Sequence, residues 1–194
     1  MIGLLDILIL IFDVIVSIWN AYASGYNIGL LRRTDKGGFN KVASYAGLCL
    51  AFAGMVYALI VILSFLAYFF GYIAEDAVDY AVSLDFLIFG VLIIGFGCVI
   101  AIQSIIIASE RRNAGSILVA LFNGFVEILD IASYVSGFKD AVSVATGNKR
   151  GDGGALVIII VAVLIGFFII FAAFKQGYSK AVSEAGYGSG RTWA

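Results

Sequence analysis

Polar positions in this chain are sparse, and the apolar stretches they separate repeat at bilayer length. The stretches run over about 2–31, 43–72, 84–108, 115–136 and 155–174. Each reaches the roughly 20 residues that cross a hydrocarbon core. The pattern predicts an all-α integral membrane protein, a bundle of about five transmembrane helices joined by short loops. The whole of 1–194 reads as one transmembrane domain, with a flexible Gly-Ser-Gly tail over about 176–194.

The polar positions inside the stretches are ordered. The first stretch carries Asp6, Asp13, Asn20 and Asn27, seven residues apart each time, with Ser17 and Ser24 beside them. Seven residues turn an α-helix through about 700°, so successive members drift by only about 20° and form one narrow stripe. The fourth stretch repeats the device with Asn123, Glu127, Asp130 and Tyr134, at i, i+4, i+7 and i+11. Its other surface is Leu118, Leu121, Phe122, Phe125 and Leu129. Gln103 and Ser104 are polar positions near the end of the third stretch. The fifth, Ala155 to Phe174, holds no polar side chain.

An energy comparison says where the stripes point. A carboxylate at mid-membrane costs about 2.5–3.5 kcal/mol, whereas a Leu, Ile, Phe or Val returns only about 0.3–0.6. Asp13 and Glu127 are therefore expected to face the bundle interior, a water-filled cavity or another subunit. No Lys or Arg lies deep in any stretch to neutralise them. They must be protonated, hydrogen-bonded to one another, or paired with a mobile cation or a partner's basic residue. Two readings follow. In one, Asp13, Glu127 and Asp130, with Asn20, Asn123, Gln103 and Ser104, line a cation or proton pathway, carboxylate and amide oxygens being hard ligands. In the other, the same groups hold helices together through hydrogen bonds.

Composition agrees with the bilayer and removes several chemistries. Mean hydropathy is +1.07, 62% of residues are hydrophobic and 13% are charged, too apolar for a soluble domain of this length to bury. The chain has no His, which removes imidazole ligands and His general bases, and no Pro to break a helix. Cys49 and Cys98 both fall inside apolar stretches and read as small packing residues. No metal or cofactor site is read, and a net charge of −1 gives no attraction to nucleic acid. Without His, a Gly-x-Gly-Asp context or a phosphate-binding loop, no enzyme is expected.

Close packing is legible in small residues. Ala43, Gly47, Ala51, Gly54 and Ala58 share a face of the second stretch, and Gly25 and Gly29 share one of the first. Trp19, Tyr22, Tyr26, Tyr68 and Tyr72 suit the membrane interfaces. Loop 32–41 holds Arg32, Arg33, Lys36 and Lys41, whereas loop 73–85 is purely acidic, with Glu75, Asp76, Asp79 and Asp85. The excess of basic residues predicts loop 32–41 cytoplasmic and loop 73–85 external. The first stretch begins without a basic residue and is interrupted by Asp6 and Asp13, so it reads as a retained helix rather than a signal peptide. Lys139, Lys149 and Arg150 fit this orientation poorly, and a re-entrant fourth segment is the alternative to five full spans. The expected partners are the lipid bilayer and either other membrane subunits or further copies of the chain. The functional expectation is a structural or accessory subunit of a larger membrane assembly, with a small oligomeric cation or proton channel or transporter as the alternative.

Overall fold

The computed structural model describes residues 4–31, 38–147 and 153–188. They form five helices: α1 (Leu4–Leu31), α2 (Gly38–Phe69), α3 (Glu75–Arg111), α4 (Ala114–Gly147) and α5 (Gly153–Gly188). No strand occurs among the described residues. All five helices are long and apolar enough to cross a membrane. The protein is an all-α bundle of the polytopic membrane type.

Helices α3, α4 and α5 begin and end beyond the hydropathy boundaries, and α2 starts before its own and stops at Phe69, because hydropathy marks the hydrocarbon slab while local backbone chemistry marks the helix. The connection from α2 to α3 is a Schellman turn. Gly71 takes φ +74°, its N–H donates to the Tyr68 carbonyl at 2.9 Å, and the Tyr72 N–H donates to Ala67 at 2.8 Å. Helix α3 then starts at once, with Glu75 and Asp76 in its first turn, where the helix dipole favours them. The acidic segment expected as a loop over 73–85 is thus mostly the first turns of α3. At the other end of α3, Arg112 is left-handed and its N–H donates to the Ala108 carbonyl at 3.0 Å. Asn113 immediately caps α4, its Oδ1 accepting from the Ser116 N–H at 2.8 Å.

Helix α4 is one continuous helix that runs antiparallel to α3. Facing pairs establish this: Gly97 meets Glu127, Gly90 meets Tyr134, and Gly137 meets Phe86. Helix α5 continues through Lys175 to Gly188, where a loose tail was expected. Residues 189–194, 148–152 and 32–37, which hold the remainder of that tail and most of the predicted basic loops, lie outside the described residues.

Helix α2 is central, packing against α1, α3 and α5, whereas α4 packs against α3 alone. One apolar cluster joins Ala53, Val56 and Ile60 of α2 to Ala81 and Phe89 of α3 and to Ala155 and Ala162 of α5. A second joins Ala21 of α1, Ala51 and Met55 of α2, and Ile170 and Ala173 of α5. Small residues predominate because the helices approach backbone to backbone. A methyl group on Gly25 would collide with the Phe174 carbonyl, and one on Gly177 with the Tyr22 carbonyl.

Candidate functional site

The two polar stripes reach the interior, but they divide the work differently from their spacing. On α1 it is the serines that pack against α2. Ser17 Oγ and Ser24 Oγ fill the space above Gly54 and Gly47, each 2.8 Å from where a Cβ would stand. Asp13 and Asn20, on the neighbouring line of the same helix, remain half-buried, and Asn27 is exposed. Asp6 lies on α1, but its side chain is outside the described part.

On α4 the stripe faces α3. Glu127 is only 7% exposed, and its carboxylate rests on the bare backbone of Gly97, where a Cβ would collide with Oε2. Cys98 donates its thiol to Glu127 Oε1 at 3.4 Å. Tyr134 stacks on Phe86, with centroids 5.0 Å apart, and donates to the Leu87 carbonyl at 3.3 Å. Asn123 and Asp130 are half-buried. Ser104 is buried, but its hydroxyl donates within its own helix, to the Ala101 carbonyl at 2.7 Å, and Gln103 beside it is half-buried.

The acids do not stay with their own helix pairs. Helices α1 and α4 share no packing contact, yet Asp13 and Asp130 lie within electrostatic range of each other. Carboxylates of two helices that do not pack together therefore interact through space. Tyr57 of α2 is within range of both, and also of Asp85.

Tyr57 and Asp85 are the members that the spacing analysis missed. Asp85 was assigned to an external loop, but it is the most buried carboxylate of the described residues, 1% exposed, inside α3. Neither of its oxygens has a hydrogen-bond partner. A signal existed: Ala77, Ala81, Asp85 and Phe89 follow a spacing of four along the buried face of α3, which Gly97 and Ala101 continue after one step of eight. Among the described residues no group of three or more His, Cys, Asp or Glu comes together closely enough to hold a metal ion. No family model, curated protein or solved structure matches this chain.

Proposed function

We propose that this chain is a non-enzymatic polytopic membrane protein that takes a small cation or proton into the interior of its bundle and passes it across the membrane. The observation that carries the reading is that Asp13 and Asp130 lie within electrostatic range of each other on helices that do not touch, with Tyr57 within range of both. Groups serving only to bind helices together would be expected on helices in contact. Two carboxylates set across a gap repel when both are charged, and a cation or proton between them removes the repulsion. Ionised carboxylates are costly away from water unless compensated.

Purified protein in liposomes tests this directly. Asp13→Asn, Asp130→Asn and Glu127→Gln are expected to abolish cation or proton flux while leaving the protein folded. Flux unchanged by all three would overturn the pathway.

A second reading, a subunit of a larger membrane assembly, is supported by α4. That helix is attached through α3 alone and leaves Leu118, Leu121, Phe122, Phe125 and Leu129 exposed. Native mass spectrometry of gently extracted protein separates the two. Stoichiometric foreign chains favour the subunit, and a pure homo-oligomer favours the pore.

A further inference from the structure

We infer that Asp85 is a proton-binding site, holding an exchangeable proton in the apolar interior and trading it with the Asp13–Asp130 pair through the Tyr57 hydroxyl. The inference rests on the reading that the bundle handles a small cation or proton, and it commits that reading to the proton.

Asp85 occupies a position where a side chain that only filled space would be apolar. Its neighbours one helical turn away, Ala81 and Phe89, belong to the apolar cluster with Val56, Ile60 and Ala162. A polar group buried without a partner costs free energy that an apolar side chain of similar volume would not. Packing therefore gives no reason for an acid here, and the cost needs another explanation. An ionised carboxylate in such surroundings, without a basic partner, costs far more than the neutral acid. A metal cation would need several further oxygen ligands, and the buried members of the adjoining cluster are all hydrocarbon. A proton alone neutralises the group without additional ligands.

The titratable groups around the site leave one exit. Helix α3 itself contributes Tyr80, packed on the same apolar cluster, and α5 contributes only aliphatic side chains there. Helix α2 contributes Tyr57, which packs on the same cluster and lies within electrostatic range of Asp85, of Asp13 of α1 and of Asp130 of α4. A phenol both donates and accepts. As Asp85 gives its proton to the Tyr57 oxygen, the phenolic proton passes to an ionised Asp13 or Asp130. The ring ends neutral, Asp85 is left ionised, and the receiving carboxylate becomes the acid. The reverse transfer restores the starting state. One water or a side-chain rotation completes each hydrogen bond.

Infrared spectroscopy of the full-length protein in lipid tests the site. At neutral pH the wild type is expected to show the C=O stretch of a protonated carboxyl group. Asp85→Asn removes that contribution, whereas Asp13→Asn retains it. Asp85→Leu serves if the amide does not fold, and it should be at least as stable as wild type, since it fills an apolar site. Tyr57→Phe leaves the band in place and slows its deuterium exchange by about a hundredfold. An Asp85 that is ionised at neutral pH overturns the site, and unchanged exchange in Tyr57→Phe overturns the relay. The protonation readout is independent of flux. A protonated Asp85 in a protein without flux defeats the transport reading alone, and flux with an ionised Asp85 defeats the proton site alone.

Discussion

Tyr134 joins α4 to α3 in two ways at once, by stacking on Phe86 and by donating to the Leu87 carbonyl. The two contributions separate by substitution. Tyr134→Phe keeps the ring and loses the hydroxyl, and interhelical hydrogen bonds inside membranes average about 0.6 kcal/mol. Tyr134→Ala loses the ring as well, and truncating a packed aromatic costs about 3–5 kcal/mol. Denaturant unfolding in detergent micelles should show the small and the large loss in that order. Equal losses would place the attachment in the hydroxyl. The placement of Tyr134 and Glu127 was legible, because i, i+4 and i+7 spacing puts side chains on one helix face wherever the helix lies. Asp85 was not legible by the same means. It stands among Glu75, Asp76 and Asp79, and local hydropathy cannot distinguish an acid that ends a helix from one a few turns inside it. Its neighbours along the helix, Ala81 and Phe89, cluster with Ile60 of α2, and Tyr57 packs on the same cluster, a pairing that no local average registers.

Helices α1 and α5 meet along a seam of small residues that shows only partly in the pattern. Gly25 and Gly29 stand out in α1, whereas Ala173 is hidden at the end of an apolar run with no polar side, and Gly177 and Ala181 fall beyond Phe174, outside the expected span. The pairing places Gly25 on the Phe174 carbonyl, Gly29 against Tyr178 and Ala181, and Gly177 on the Tyr22 carbonyl. Near the end of the seam Tyr26 donates to Glu184 at 2.7 Å, beyond the expected end of the fifth span at Phe174. A backbone carbonyl cannot turn aside as a side chain can. Gly25→Ala and Gly177→Ala should therefore each cost about 1–3 kcal/mol, the range for overpacking, by forcing the helices apart. Gly124→Ala, with open space around it, should stay within about 0.5 kcal/mol. Unfolding of the three variants side by side measures the difference. If Gly25→Ala is as mild as Gly124→Ala, the seam is looser than backbone contact. The helix ends between α2, α3 and α4 had clear local signals in Gly71 and Asn113, both of which act through backbone chemistry that a hydropathy average does not register.

At the scale of the molecule the five helices alternate in direction, and this makes the orientation testable at two positions. Gly154 at the start of α5 packs on Ile73, so the α2–α3 turn and the start of α5 share one end. Gly29 packs against Tyr178 and Ala181, so the end of α1 and the far part of α5 share the other. By sequence, the second end collects Lys41, Arg111, Arg112, Lys175 and Lys180, together with Arg32, Arg33 and Lys36 of the first linker. The first end has the acidic start of α3, with Lys139, Lys149 and Arg150 near it. Lys139 weighs little in this balance, because it sits on α4 itself, two turns before the helix ends at Gly147. Loops and helix ends rich in Lys and Arg remain cytoplasmic. Helix α3 has 37 residues, about 55 Å at 1.5 Å per residue, against a hydrocarbon core of about 30 Å. Its two ends must therefore emerge into water and are open to a polar reagent. In a background of Cys49→Ala and Cys98→Ser, Tyr72→Cys should react with a membrane-impermeant maleimide on intact cells. Glu110→Cys should react only after the cells are opened. The opposite pattern would invert the bundle. Reaction at both positions in intact cells would mean that α3 does not cross. That outcome would leave Asp85 buried by protein but outside any route through the membrane, so the labelling result decides whether a proton held there can contribute to transport.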